Sequence, residues 1–307
     1  MHYVGHVNAS FADFPATATA TASGLSRLRL VGPDQGAVHT DLAVGALAPG
    51  GWLAPHVHAF EEVMYVLEGE LLLDLGGTTH RLTHGDYALM PTALRHALGN
   101  AGAASVRFLS LNSPQRLDPS GTRKDTFWEP PQDLAAMDAA AVRPPFGDPT
   151  LRLVGHYDGT PPQLETLRIK DEARGRPPAG MDTALLAYSG ISVRMLVDRG
   201  FGADHVTMFT VDYELGGAAQ AHDHPFEEAY YFLAGEVEAE LDGQHYTLRA
   251  GDIVFAGVGS VHGFYNVGTE RVRWIETQAP QPPARHSYRW VQTWERFAQS
   301  RGERGRS

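Results

Sequence analysis

The sequence predicts an all-β protein built as two tandem barrels, and three observations carry that expectation. Short runs of β-forming residues recur at regular spacing, separated by Gly, Pro and Asp-Gly turn signals. A set of histidines, glutamates and glycines in the first half returns in the second, each 166 positions later (222 − 56 = 166; 266 − 100 = 166). The chain has 307 residues, 43% hydrophobic and 20% charged, which suits a soluble globular protein of about two domains.

Taken in order, Met1 to Phe14 reads as a first strand and turn, and the Ala/Thr alternation of Ala16 to Ala22 as a β-prone surface segment. Ser23 to Val31 is a strand inside the repeat, because Ser189 to Val197 matches it 166 positions on (189 − 23 = 166). Thr40 to Leu47 and His205 to Leu215 alternate and lead into the histidine stretches. The strand carrying Glu62 continues to Leu67. Glu70 to Leu75, Gly76-Gly77 and Thr79 to Leu82 form a hairpin, as do Glu236 to Leu241, Asp242-Gly243 and Gln244 to Leu248. Val106 to Leu111 and Val272 to Thr277 close the two barrels.

Between the repeats, Ser113 to Arg123 reads as an exit loop and the Ala-rich Gln132 to Val142 as a short helix. Arg143 to Pro149 holds three prolines and a glycine and marks a boundary between domains 1–146 and 147–307. Leu153-Val154-Gly155-His156 echoes Tyr3-Val4-Gly5-His6, but at an offset of 150 (154 − 4 = 150). The second repeat therefore carries sixteen extra residues (166 − 150 = 16), assigned to a surface loop within Lys170 to Ala184. Trp290 to Gln299 reads as a closing helix and Arg301 to Ser307 as a basic tail.

The chemistry concentrates in Gly50 to Gly69. His56, His58 and Glu62 are all even-numbered, so on a continuous strand they share one face, while Glu61 points the other way. His96 supplies a fourth group from a neighbouring strand. The second set is His222, His224, Glu228 and His262. Neutral imidazoles with one carboxylate suit a divalent transition ion.

These stretches resemble the two signature motifs of the cupin superfamily. Gly50, His56, His58, Glu62 and Gly69 fit the first; Gly85, Pro91, His96 and Asn100 fit the second, with Ala93 where the family usually has Gly. With the second copy, the resemblance is to a bicupin and covers most of the chain. It implies two jelly-roll barrels, each with a metal inside. Iron(II) or manganese(II) is the expected ion, with nickel, cobalt or zinc as alternatives. Glu62 and Glu228 could also accept a substrate proton.

Strand parity gives the rest of each interior. Met64, Val66, Leu98 and Phe108 share the inward phase of the first repeat; Tyr230, Phe232, Phe264 and Trp274 share that of the second. The second also has Glu276 for Ser110 and Gly257 for Pro91. Phe232, Phe264, Trp274 and Glu276 are therefore candidate substrate contacts, and Tyr230, Glu228 and Glu62 candidate catalytic groups, with the second site the main one.

The absence of cysteine removes disulfides, thiolate sites and cysteine nucleophiles, and fits a reducing compartment. A formal charge of −11 argues against nucleic acid and anionic membranes as partners. No apolar run reaches membrane-spanning length, and the start lacks a secretory pattern, so a cytoplasmic protein is expected. The partner is a small molecule, with O₂ as co-substrate in the favoured reading; a homo-oligomer is compatible with it. That reading is a dioxygenase cleaving a carbon–carbon bond in a small aromatic or β-dicarbonyl compound, similar to the flavonol dioxygenases and pirins. A non-oxidative lyase, isomerase or decarboxylase acting on a small organic acid is the alternative, and a non-catalytic binding bicupin the third.

Overall fold

A computed structural model describes residues 1–7, 16–115, 125–137, 140–141, 153–159, 188–283 and 288–290. Among these the regular structure is almost entirely strand, arranged in one sheet of twelve strands and one of ten, each curled as a jelly-roll half. No helix among them is long and apolar enough to cross a membrane.

Each sheet is organised on one long bent strand, Asp41–His58 in the first and Thr207–Asp223 in the second. The bend is built at Gly50 and Gly216, whose φ values of 71° and 74° suit glycine. An asparagine locks each corner. Gly50 N donates to Asn100 O and Asn100 N returns a bond to Gly51 O, both at 2.9 Å. Asn266 repeats this with Gly216 and Gly217. After the corner the strand pairs with the one carrying the last histidine, so that His56 faces His96 and His222 faces His262.

The predicted hairpins form as Leu71–Leu75 with Thr78–Leu82 and Glu236–Leu241 with Gln244–Arg249. Asp242 and Gly243 both have positive φ, as a two-residue turn of this hand requires. The helix expected over 132–142 is not an α-helix. Residues Leu134–Ala136 make one 3-10 turn, capped by Asp133, and Ala140–Ala141 pairs in parallel with the strand Thr78–Leu82. Helix propensity yields here to tertiary packing, since Leu134 docks on Leu72 and Ala97. At the other end, Arg289–Trp290 pairs as a short strand, and the rest of the closing helix expected over 290–299 lies outside the described residues. The boundary stretch 143–149, the insertion 170–184 and the tail 301–307 lie outside the described residues.

The two short strands that echo each other at the offset of 150 are exchanged. His2–His6 pairs with Asp252–Ala256 of the second sheet, and Val154–His156 pairs with Asp86–Met90 of the first. Residues 1–146 and 147–307 thus each give one strand to the other's sheet.

Packing follows strand parity. Met64, Val66, Leu98 and Phe108 fill the first interior, and Tyr230, Phe232, Phe264 and Trp274 the second. The opposite phase, including Val63, Tyr65, Ala229 and Tyr231, packs between the barrels. Glu61 and Glu227 also face that junction. Glu227, almost fully buried, accepts from the backbone N–H groups of Val38, His39 and Thr40 at 2.6, 3.0 and 3.0 Å. Glu61 accepts from Asp204, His205 and Val206 at 2.6, 2.7 and 3.2 Å. Each loop is held from its other side by a glutamine: Gln115 donates to Ala37 and Thr40 carbonyls, and Gln281 to those of Ala203 and Val206.

Candidate metal centres

Both histidine triplets converge. The imidazole nitrogens of His56, His58 and His96 lie within 4.8 Å of one another, as do those of His222, His224 and His262. All six rings are buried. The glutamate of each set faces them. Glu62 Oε2 is 3.5 Å from His58 Nε2 and 3.9 Å from His96 Nε2. Glu228 Oε2 is closer, 2.8 Å from His224 Nε2 and 3.1 Å from His262 Nε2.

The other ring nitrogens explain why these are ligands in waiting. Nδ1 of His56, His96, His222 and His262 each bonds the carbonyl two residues upstream, at 2.7 to 2.9 Å. His224 Nδ1 bonds the Phe226 carbonyl at 2.8 Å. A carbonyl can only accept, so the proton sits on Nδ1 and the lone pair on Nε2 points inward. Nε2 of His58 and His96 is buried with no hydrogen-bond partner, and Nε2 of His224 and His262 meets the Glu228 carboxylate. Buried orphaned nitrogens are costly unless something binds them, and a cation satisfies them together with the carboxylate. The donor set fits a divalent transition ion.

Two aromatic rings that parity did not single out brace the centres. Phe60 stacks on His58 at 3.9 Å and Phe226 on His224 at 4.0 Å. Their signal was present in the sequence as a phenylalanine repeated at the same offset, between the second histidine and the glutamates. The second-motif loop is also retained despite Ala93. Ala93 takes φ 64° and its N–H donates to the His58 carbonyl at 2.9 Å, as Gly259 does to that of His224 at 3.0 Å. A left-handed alanine costs about 1 kcal/mol, and the fold absorbs it.

Electrostatics follows burial. Loss of solvent, with neighbouring imidazoles, lowers His56 and His222 to about 3 and His96 to about 4. Burial alone would raise Glu62 and Glu228, but their histidine contacts outweigh it and hold both below the ordinary range. His224 is raised: burial opposes this, and contact with Glu228 prevails.

A stability prediction follows for chelator-treated protein. The unfolded chain takes up protons on histidine near pH 6.5, whereas folded His56, His96 and His222 wait until about 3 to 4. Between those values the unfolded state binds more protons. The contribution is thus fully present above about pH 6.5 and lost as pH falls toward 4. Tm measured by calorimetry is expected to fall steadily from about pH 7 to 5; a flat Tm over that window would contradict buried neutral imidazoles.

The two centres differ around the glutamate. Glu62 accepts from Ser110 Oγ at 2.6 Å and keeps 16% of its side chain exposed. Glu228, only 2% exposed, accepts from Gln278 Nε2 at 2.7 Å and from the Tyr230 hydroxyl. Tyr230 is thus turned to the ligand carboxylate. Glu276, a candidate substrate contact, is held well above the carboxylate range by burial, then by the Glu228 charge. Trp274 Nε1 donates to it at 3.0 Å. Tyr230, Phe232, Phe264 and Trp274 are brought together and almost fully buried, with Phe232 and Phe264 each about 5 Å from Trp274 (5.2 and 5.4 Å). At Gly257, where the first repeat has Pro91, the Met1 carbonyl lies 3.0 Å from where a Cβ would stand.

Sequence reasoning missed two short strands that cross the histidine stretches. Thr126–Trp128 pairs with Asp41–His58, setting Thr126 opposite His58 and Trp128 opposite His56. The Trp128 ring lies 4.6 Å from that of His56 and is 41% exposed. In the second barrel Trp290 pairs with His222 and Arg289 with Asp223. The next residue in that register, Tyr288, has its ring 5.6 Å from both His222 and His224.

Comparison with known proteins agrees with the duplication. A cupin domain is recognised at residues 43–112 and again at 209–277. Over 92 residues, 30% of this chain, the sequence is 33% identical to a Streptomyces cyaneus protein named polyketide synthase CurC, and the match spans 60% of that protein's length. Among solved structures, salicylate 1,2-dioxygenase from Pseudoaminobacter salicylatoxidans, as adducts with gentisate, superposes with a TM-score of 0.63. The identity is 14%, over 82% of this chain and 73% of that one. A putative glyoxylate-induced protein from Pseudomonas aeruginosa gives 0.59 at 18% identity, covering 87% and 85%. At these identities the likeness is one of fold.

Proposed function

We propose, for a chain that belongs to the cupin superfamily and carries two cupin repeats, a metal-dependent dioxygenase activity that cleaves a carbon–carbon bond in a small aromatic or β-dicarbonyl compound. The observation that carries this reading is the pair of buried clusters in which inward-facing imidazole nitrogens meet a carboxylate held below its ordinary pKa. A divalent ion there, iron(II) or manganese(II) in this reading, would supply Lewis acidity and open positions for oxygen ligands. The fold shared with salicylate 1,2-dioxygenase supports an aromatic substrate of the salicylate or gentisate kind.

The second centre is proposed as the main catalytic one. Tyr230 and Gln278 fix the Glu228 carboxylate by hydrogen bonds, so it meets the ion in one orientation. Glu276, beside Glu228 and held by Trp274, is the group that can exchange a proton with the reacting molecule. Phe264 and Trp274 form an apolar floor below it and, with Phe232, keep water from the deep end of the barrel.

The juxtaposed Glu228 and Glu276 also favour a second reading, a non-oxidative lyase or isomerase, because a carboxyl pair can move a proton without oxygen. Oxygen separates the two. Iron(II)- and manganese(II)-loaded protein is expected to take up O₂ in step with the loss of salicylate, gentisate or acetylacetone, and to stop under argon. Product formed equally well under argon would overturn the dioxygenase reading in favour of the lyase.

A further inference from the structure

The strand Val106–Ser113 sets Asn112 opposite Glu62 on one side and opposite Asp41 on the other. Asn112 shares the inward phase of Ser110 and Phe108, of which the first bonds Glu62 and the second packs in the first interior. The residue is 1% exposed, and its Oδ1 has no hydrogen-bond partner. An amide oxygen can only accept, and so can the carboxylates on either side of it. Both of those are already engaged. Glu62 takes the Ser110 hydroxyl at 2.6 Å, and Asp41 takes Arg27 at 2.6 Å and Arg29 at 3.4 Å.

At the second centre the same place is satisfied from within the protein. Gln278 lies 166 positions after Asn112 (278 − 112 = 166) and is one methylene longer. Its Nε2 donates to Glu228 Oε1 at 2.7 Å, and its Oε1 accepts from Thr207 Oγ1 at 2.9 Å. Asn112 makes neither bond. The repeat places Asp41 where the second barrel has Thr207 (207 − 41 = 166), so the hydroxyl that would donate is replaced by an acceptor. A buried acceptor without a donor costs about 1–3 kcal/mol, which a donor brought by a ligand would recover.

The first centre is also the more open of the two. Glu62 is more exposed than Glu228, and Trp128 offers an exposed ring 4.6 Å from that of His56. The amide oxygen beside the Glu62 charge repels an anionic oxygen and favours a hydroxyl.

We infer that Asn112 selects the ligand of the first centre, its Oδ1 accepting from a hydroxyl that a planar ligand carries next to the two oxygens held by the ion. The ligand class is a phenol with three adjacent oxygens, two on the ion and the third still protonated. This rests on the first cluster holding a metal ion, and it concerns binding there, whatever the second centre turns over.

The test is an anaerobic spectral titration of cobalt(II)-loaded protein in which the second centre is removed by His222→Ala with His224→Ala. The probes are catechol, with two adjacent hydroxyls, and pyrogallol, with three. Pyrogallol is expected to bind about 10-fold more tightly than catechol. Asn112→Leu, similar in shape but apolar, should bring the two within about 2-fold, with catechol affinity and cobalt content unchanged. Asn112→Gln, which copies the second centre and can turn its amide onto Glu62, should lose the preference likewise. Cobalt uptake without a preference for pyrogallol, a preference that survives both replacements, equal weakening of both probes, or binding of neither would overturn the inference and leave the metal reading intact. Failure to take up cobalt would overturn that reading and the inference with it.

Discussion

Replacing Glu227 with alanine is expected to lower unfolding stability by about 2–4 kcal/mol, although the residue touches neither centre. Its carboxylate is the acceptor for three successive backbone N–H groups, those of Val38, His39 and Thr40, across the junction between the barrels. Removing it leaves those donors without an acceptor. A buried unsatisfied group costs about 1–3 kcal/mol, and only the most exposed of the three can be rescued by water. Glu61→Ala should act alike through Asp204, His205 and Val206. A loss of this size corresponds to a drop in Tm of about 5–10 °C for a chain of this length. Glu227→Gln, which keeps one carbonyl oxygen, should fall between the two. A Tm within about 1 °C of wild type for both alanine variants would mean that these carboxylates do not hold the barrels together.

The largest effect on turnover is expected from His222→Ala combined with His224→Ala. Two of three nitrogen donors are lost, and Glu228 with His262 cannot fill the coordination sphere of a transition ion. A fall of at least about 100-fold in kcat/KM is expected, of the order seen when a group that stabilises the transition state is removed. The matching His56→Ala with His58→Ala should keep kcat/KM within about 3-fold, a change worth well under 1 kcal/mol. The reverse pattern would move the chemistry to the first centre, where Glu62 is the more exposed ligand and Trp128 offers a half-open ring beside His56.

Much of this was legible because strands obey a two-residue period. Once His56, His58 and Glu62 are placed on one face, their interior neighbours Met64 and Val66 follow, and the 166-residue register carries the assignment to Glu228, Tyr230 and Phe232. The corner glycines and asparagines were visible as motif positions, and the structure supplies their reason. What was not legible depends on contacts distant in sequence. The echo between Tyr3-Val4-Gly5-His6 and Leu153-Val154-Gly155-His156 could be seen, but not that the two strands change places. Glu61 was correctly turned away from the histidine cluster, yet its partners lie 143 to 145 residues on. Thr126–Trp128 is too short for any period to register, and Tyr288 stands 162 positions after Thr126 (288 − 126 = 162), outside the main repeat. The expected helix over 132–142 followed alanine propensity, which Leu134 overrides by docking against Leu72.

The central claim is that both clusters hold a metal ion, and elemental analysis of protein purified without a metal-binding tag tests it most directly. Wild type is expected to carry two transition-metal ions per chain, and each paired histidine variant one. Wild-type protein that stays well below one ion per chain after incubation with iron(II) or manganese(II), or two ions retained in both variants, would contradict the account.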